Sequence, residues 1–406
     1  MKHFLFACVL FLTAFSVQAQ SYLVGHRTFT FTDAARSNRS IAGHIYYPAT
    51  TAGDNKVFVA GKFPVVVFGH GFTITYTEYD FWWTTLVQNG YVVVIPTTEG
   101  SISPSHANFG GDLKFLITKM NSENALSTSP YFGKLTGKSA IMGHSMGGGA
   151  AFLAATNNTA VSALVTFAAA ETTPSAIAAA AGVKCPTLTF AGSRDCVAAP
   201  ATNAKAMHTA ITTPYRAYLE IKNGSHCQFG KASAFSRCNL AEGTACGSTA
   251  GGFITTTSQR AQMNSATLPF LDYTLRGNCA GWTTFRNYLT TSTLHTYLQA
   301  GTGGAGCPAA RIAANNNNTT AKPTKQNVYP NPTNGSLTVE FEAATDTENA
   351  FIQVVDMMGI VVFKQKITAE QGLNTASFDL ANLPKGTYWV RTSVGTDILT
   401  SKFVMD

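Results

Sequence analysis

Apolar and polar residues alternate with a period of two in the first segments that follow the N-terminal region. Residues 28–32 and 41–47 both show this alternation, and the polar stretch 33–40 separates them. Successive side chains of a β-strand point to opposite faces, so the pattern predicts two antiparallel strands joined by a turn.

Short, almost wholly apolar runs then alternate with segments of helical character. Apolar runs of this length are typical of strands buried on both faces, and their alternation with helices predicts an α/β fold with a doubly wound, mostly parallel sheet. The predicted strands are 63–68, 91–95, 139–142, 161–167, 186–190 and 215–221, the last being the final strand, and the predicted helices are 78–88, 108–120, 201–209, 258–275 and 283–299.

The C-terminal part of the chain has a different pattern. Residues 309–326 are polar and low in complexity, with four consecutive asparagines, and are interpreted as a linker between a domain at 20–308 and another at 327–406. Five short alternating runs predict that the second domain is a small all-β sandwich. They are residues 336–341, 350–355, 360–366, 375–380 and 387–392.

The N-terminus reads as a secretory signal peptide at residues 1–19. A basic start is followed by the apolar run 4–15 and by small residues up to Ala19, after which cleavage is expected. No later run approaches the roughly 18 apolar residues of a membrane helix, so no transmembrane segment is predicted.

Charge and composition exclude some classes of function. The formal net charge is +7, and residues 322–406 hold 7 basic and 9 acidic residues, so the positive excess lies in the larger domain. The chain has no run of Lys and Arg, no zinc-ligand spacing and no RNA-binding signature. We therefore expect no nucleic-acid partner, no metal and no cofactor.

The segment Gly143-His144-Ser145-Met146-Gly147 carries the first chemical signal. It lies between an apolar run and a run of small residues, which predicts a strand, a sharp turn and a helix with Ser145 at the apex. Such a turn exposes the serine hydroxyl as a nucleophile, and the glycines allow close packing of the backbone around it.

A serine nucleophile needs a base and an acid, and both follow later predicted strands. Asp195 comes just after the strand 186–190, and His226 just after the strand 215–221. The order Ser, Asp, His is that of α/β-hydrolases, and catalytic groups collect at the carboxyl ends of parallel strands. The competing acid Glu220 lies within its strand, so Asp195 is preferred.

The same edge of the sheet offers donors for an oxyanion. Backbone N–H groups suit this role because they are already in place. We expect those of Phe72, in the loop Gly69-His70-Gly71-Phe72, and of Met146, at the start of the helix after Ser145, to form the oxyanion hole.

Seven cysteines remain after removal of the signal peptide, in a compartment that permits disulfides. Cys196 and Cys227 directly follow the proposed acid and base, which suggests a bond between those two loops, with two independent thiols as the alternative. The other sensible pairs are Cys238 with Cys246 and Cys279 with Cys307, which would leave Cys185 free, although spacing does not determine connectivity.

The larger domain resembles secreted polyester hydrolases and cutinase-like members of the dienelactone hydrolase group. The resemblance rests on the segments Gly71-Phe72-Thr73, Gly143-His144-Ser145-Met146-Gly147-Gly148 and Ser225-His226. It implies a secreted serine carboxylic-ester hydrolase with a shallow cleft, possible activity on poly(ethylene terephthalate), and Phe72 and Met146 at the substrate. Where such enzymes carry a tryptophan, this chain has a segment that contains Glu171 and Thr172, which are further candidates for substrate binding.

Other functions share the same motifs. Chlorophyllase-like enzymes and lipid esterases or lipases have a similar loop and serine turn. A serine peptidase and a non-enzymatic surface binding protein are more remote alternatives. In each case a monomer is expected.

The C-terminal region resembles the sorting domain of type IX secretion cargo, which implies export across the outer membrane of a Gram-negative bacterium by the type IX machinery, or display at its surface. A polymer-binding β-module is the alternative. The segments that carry the resemblance are Val328-Tyr329-Pro330-Asn331-Pro332, Asp356-Met357-Met358-Gly359, Leu383-Pro384-Lys385-Gly386-Thr387-Tyr388 and Lys402-Phe403-Val404.

Overall fold

The computed structural model describes most of the chain in two compact units. The described residues are 21–212, 215–231, 237–247, 251–304, 307, 326–343, 347–357, 360–370, 372–394 and 397–406. The predicted signal peptide, 1–19, lies outside them, as does the predicted linker except for its last residue. The predicted domain boundaries stay predictions.

The first unit is built on a mixed ten-stranded sheet with the order β10-β9-β8-β7-β6-β4-β5-β2-β1-β3. The strands β4 to β9 are mutually parallel. At one side β2 is antiparallel to both β5 and β1, and the short β3 pairs in parallel with β1, while at the other side β10 is antiparallel to β9. The strands are β1 Leu23–Asp33, β2 Arg39–Ala49, β3 Gly53–Asp54, β4 Phe63–Gly69, β5 Val92–Pro96, β6 Leu135–His144, β7 Ala163–Phe167, β8 Thr187–Gly192, β9 Tyr215–Ile221 and β10 His295–Gly301.

The described helices follow the parallel strands, as the alternating pattern predicts. They are α1 Asp80–Gln88, α2 His106–Ala125, α3 Met146–Ala155, α4 Ala176–Ala180, α5 Ala204–Ala210, α6 Arg237–Cys246, α7 Thr256–Arg276 and α8 Cys279–Thr291. Every residue of β4, β5, β7 and β8 is buried, which explains why these strands appear in the sequence as continuous apolar runs. The α/β-hydrolase fold is confirmed.

One predicted helix is wrong. Residues 283–299 were expected to form a single helix, but α8 ends at Thr291 and β10 pairs with β9, His295 lying opposite Ile221. The strand 215–221 is therefore not the last of the sheet. Four central residues of β10 are exposed, so this edge strand has no apolar pattern, and its pairing with β9 decides its conformation.

The second unit holds two small antiparallel sheets, β11-β12-β15 and β14-β13-β16-β17. Side chains from both sheets form one apolar core, among them Leu337, Phe341, Ile352, Val390 and Phe403, so the prediction of an all-β domain is confirmed. The strands are β11 Gln326–Tyr329, β12 Ser336–Ala343, β13 Thr347–Val355, β14 Val361–Ala369, β15 Gly372–Asp379, β16 Gly386–Val394 and β17 Asp397–Met405, of which the pattern missed β11 and β17.

Among the helices that the structure describes, none combines the length and the apolar character needed to cross a bilayer.

Candidate active site

Ser145 lies at the sharp turn between the end of β6 and the start of α3. Its backbone has φ 55° and ψ −123°, a conformation that non-glycine residues rarely adopt and that costs about 1–3 kcal/mol. A Cβ on Gly143 would overlap the carbonyl oxygen of Gly147, and a Cβ on Gly147 would overlap that of Gly69. The two glycines of the motif are therefore required by close backbone contacts.

The hydroxyl of Ser145 begins a series of two hydrogen bonds. The Oγ atom lies 2.9 Å from Nε2 of His226, and Nδ1 of His226 lies 2.7 Å from Oδ2 of Asp195. A carboxylate only accepts, so Nδ1 carries the proton and Nε2 is free to accept from Ser145. The structure thus brings together the three residues that sequence order selects, and all three are at least nine-tenths buried.

Asp195 is held in place by the backbone of its own loop. Its Oδ1 accepts hydrogen bonds from the N–H groups of Val197 at 2.9 Å and Ala198 at 2.8 Å, which leaves Oδ2 for His226. The competing acid Glu220 lies within β9, where it accepts a hydrogen bond from the hydroxyl of Tyr218. Of the two carboxylates, only Asp195 is hydrogen-bonded to His226 in the described part of the chain, and its role as the catalytic acid stays a prediction.

The main chain of His226 is fixed on both sides. Its N–H donates to Oε1 of Glu242 at 2.5 Å, and its carbonyl oxygen accepts from Nε2 of His144 at 3.0 Å. The imidazole of the proposed base is therefore positioned by side chains from α6 and from the end of β6, as well as by Asp195.

A directed chain of hydrogen bonds joins the loop after β4 to His226. The N–H of Gly71 donates to the Tyr79 hydroxyl at 2.8 Å, and that hydroxyl donates to Nδ1 of His144 at 2.9 Å. Burial lowers the pKa of His144 well below its ordinary value, and the nearby His226 lowers it further, so His144 is neutral. With Nδ1 accepting, Nε2 carries the proton that is donated to the His226 carbonyl.

Replacing Tyr79 with Phe is expected to lower kcat about 5- to 20-fold, because small displacements of catalytic groups are costly. The change also leaves the Gly71 N–H and His144 Nδ1 unpaired, which should reduce the free energy of unfolding by about 1–3 kcal/mol. Steady-state kinetics and denaturant unfolding measure the two effects. Tyr91→Phe is the matched control, since Tyr91 directly precedes β5 and the change removes its partly buried hydrogen bond to Asp272 of α7. It should lose stability and keep kcat, and an equal loss of kcat in both variants would contradict the prediction.

The N–H groups of Phe72 and Met146 are the predicted oxyanion donors. Met146 is the first residue of α3, so its N–H has no acceptor within the helix. In the part of the chain that the structure describes, neither this N–H nor that of Phe72 is paired with a protein acceptor. Their role as an oxyanion hole stays a prediction.

The candidate substrate-binding residues differ in exposure. The Phe72 side chain is 47% exposed, whereas that of Met146 is buried in the main apolar core. Glu171 accepts from the N–H of Ile177 at the start of α4, and the Thr172 hydroxyl donates to the carbonyl of Pro174. Both polar side chains therefore stabilise their own loop, and binding of substrate by these four residues stays a prediction.

The six cysteines predicted to form disulfides are all bonded, but two predicted pairs are wrong. Cys196 pairs with Cys246, and Cys227 pairs with Cys238, so the loops of Asp195 and His226 are not joined to each other directly. Instead both are tied to α6, a helix that the sequence pattern did not indicate. Cys279 and Cys307 are each bonded, and Cys185 is a buried free thiol.

Sequence reasoning missed Tyr79, Val197 and Glu242. Val197 follows the proposed acid by two residues and is 40% exposed, and its amide helps to orient Asp195. Residue type and spacing gave no signal for Tyr79 or Glu242, because their roles depend on contacts between distant segments. Among the described residues, no group of three or more His, Cys, Asp or Glu is arranged to hold a metal ion.

Comparison with known protein families gives two matches. A family described as PET hydrolase-like matches residues 14–241, more than half of the chain, and a secretion system C-terminal sorting domain matches residues 327–406. The first match contains Ser145, Asp195 and His226, and the second begins within β11 and runs to the end of the chain. The C-terminal domain therefore indicates secretion or display at the outer surface of the cell.

Proposed function

Because the chain belongs to the PET hydrolase-like family, we propose that it is a serine carboxylic-ester hydrolase that acts through an acyl-enzyme on Ser145. The family and the sorting domain together support a secreted hydrolase of the polyester-hydrolase type. The observation that carries the proposal is the unbroken hydrogen-bond series from Ser145 through His226 to Asp195.

The proposed reaction begins when Ser145 Oγ attacks the ester carbonyl and gives its proton to Nε2 of His226. Asp195 keeps Nδ1 protonated and stabilises the imidazolium that forms. The N–H groups of Phe72 and Met146 stabilise the oxyanion, each contributing about 3 kcal/mol in the transition state. His226 then protonates the departing alkoxide, and the same residues activate a water that releases the acid from Ser145.

Two exposed apolar side chains in the loops of the proposed site support an apolar acyl or aromatic group in the substrate. Phe72 and Val197, which flank the proposed oxyanion hole and the proposed acid, are both substantially exposed although they are large and apolar. Apolar side chains exposed beside a reactive group are suited to contact a substrate. We propose a polyester as the substrate, aromatic polyesters such as poly(ethylene terephthalate) included.

A panel of substrates tests this assignment. We expect release of acid from an aliphatic polyester film and from poly(ethylene terephthalate) film, together with fast turnover of short p-nitrophenyl esters and no turnover of the matching anilides. Chromatography of the released acids is the measurement. Turnover confined to long-chain triglycerides or to chlorophyll would favour a lipase or a chlorophyllase-like enzyme, and anilide turnover would favour a peptidase.

For the C-terminal domain we propose that the type IX secretion machinery is the partner that recognises it. The sequence of residues 327–406 contains no histidine and so offers no second set of Ser, His and Asp, and we assign this domain to export and the larger domain to hydrolysis.

A further inference from the structure

Three residues of α6 share one face of the helix. Cys238, Glu242 and Cys246 are spaced four residues apart, and such positions lie one above the other on an α-helix. Glu242 and Cys246 are both buried. The face that they form is therefore covered by other parts of the protein.

Each of these residues is bonded to a segment that carries a proposed catalytic residue. Cys238 is joined to Cys227, directly after His226, and Cys246 is joined to Cys196, directly after Asp195. Between them, Glu242 accepts hydrogen bonds from the N–H groups of His226 and Cys227. One face of α6 is thus bonded to both the loop that carries Asp195 and the loop that carries His226, which must lie close together for the reaction.

The carboxyl group of Glu242 interacts electrostatically with the proposed base, His226. Burial raises the pKa of its carboxyl, while hydrogen bonds from the N–H groups of His226 and Cys227 and the electrostatic interaction with His226 oppose that rise. Asp195 acts on the same carboxyl as a like charge, and the ring centroid of the neutral His144 lies 4.8 Å from that of His226. A carboxylate at this position adds a negative charge near the imidazole besides that of Asp195.

We propose that the Cys238–Glu242–Cys246 face of α6 is a clamp that positions Asp195 and His226, with Glu242 as the positioning residue for the backbone of His226. The inference rests on the proposed function and adds the part of the structure that positions its acid and its base. The family match ends at residue 241, so Glu242 and Cys246 lie beyond the matched region.

Substitution of Glu242 tests the clamp in the full-length secreted enzyme. Glu242→Ala removes the acceptor and should lower kcat about 10- to 100-fold with little change in KM, because the imidazole loses its fixed position. Glu242→Gln keeps an acceptor oxygen and should restore most of kcat.

Glu123→Gln is the matched control for the loss of a buried carboxylate. Glu123 is similarly buried, pairs with Lys119, and lies at the end of α2 that leads to the amino end of β6, away from Ser145. This variant should keep kcat. Rates are divided by the fraction of enzyme labelled by a fluorophosphonate probe, so that a variant that merely folds poorly is not counted as a slower enzyme.

Removal of the disulfides provides a second test of the clamp. The double variant Cys196→Ser with Cys246→Ser should lower kcat about tenfold, since the loop of Asp195 is then released from α6. Serine at both Cys279 and Cys307 removes bonded cysteines that do not adjoin the proposed catalytic residues, and kcat should stay unchanged.

The two proposals fail in different ways. If Glu242→Ala and the Cys196 and Cys246 variant keep the kcat of the unmodified enzyme while Ser145→Ala is inactive, the clamp is overturned and the proposed function stands. If Ser145→Ala keeps its activity, the proposed function is overturned, and the clamp with it.

Discussion

Ser145→Ala is expected to lower kcat/KM for a p-nitrophenyl ester by roughly 10⁴- to 10⁶-fold. The reason is that the variant has no nucleophile to form the acyl-enzyme, although the proposed oxyanion donors and the substrate contacts remain. The fold should be kept, because alanine is smaller than serine and has to adopt the same backbone conformation, at φ 55°, that serine adopts there. Initial rates, circular dichroism and loss of labelling by a fluorophosphonate probe measure these effects.

Ser139→Ala is the matched control for this change. Ser139 lies in the same strand, β6, is fully buried, and its Oγ has no hydrogen-bond partner in the described part of the chain. The variant should keep the unmodified kcat/KM. Residual activity of Ser145→Ala within a factor of ten of that of Ser139→Ala would rule out an acyl-enzyme on Ser145.

Asp195→Asn is expected to lower kcat about 10⁴-fold at neutral pH, with a smaller effect on KM. The N–H groups of Val197 and Ala198 will hold the amide oxygen of the asparagine, which turns its NH₂ group toward His226. Nδ1 of His226 must then accept, so the proton moves to Nε2 and the imidazole no longer takes the proton of Ser145. The dependence of kcat on pH, measured with a soluble ester, checks the loss.

Glu220→Gln serves as the comparison for the acid. Glu220 is the other carboxylate near the end of β9, and its bond to Tyr218 survives replacement by an amide oxygen. This variant should keep kcat. If it lost activity while Asp195→Asn did not, the acid of the triad would have to be reassigned.

The parts of the site that the sequence predicts are those that depend on local pattern. Apolar runs mark β6, β8 and β9, and parallel strands place their carboxyl ends at one edge, so the order Ser145, Asp195, His226 is enough to predict their meeting. The close approach of Gly143 and Gly147 likewise follows from a motif of five residues.

What the sequence does not predict depends on segments that meet only in the folded chain. The expected bond between Cys196 and Cys227 assumes that the two loops face each other with nothing between them, whereas α6 supplies the partner for each. The residues of α6 have no strong apolar stripe, so nothing local indicated where that helix would lie. The edge strand β10 was missed for a similar reason, because its conformation comes from pairing with β9.

The contact between the backbones of Gly147 and Gly69 has a consequence for how this site tolerates change. Since no side chain fits between the turn at Ser145 and the loop that leads to Phe72, main-chain atoms alone set the spacing between the proposed nucleophile and the proposed oxyanion donors. Exposed residues such as Phe72 and Val197 are then free to vary without altering that spacing. Libraries aimed at new polymers should therefore randomise those exposed positions and keep both glycines unchanged.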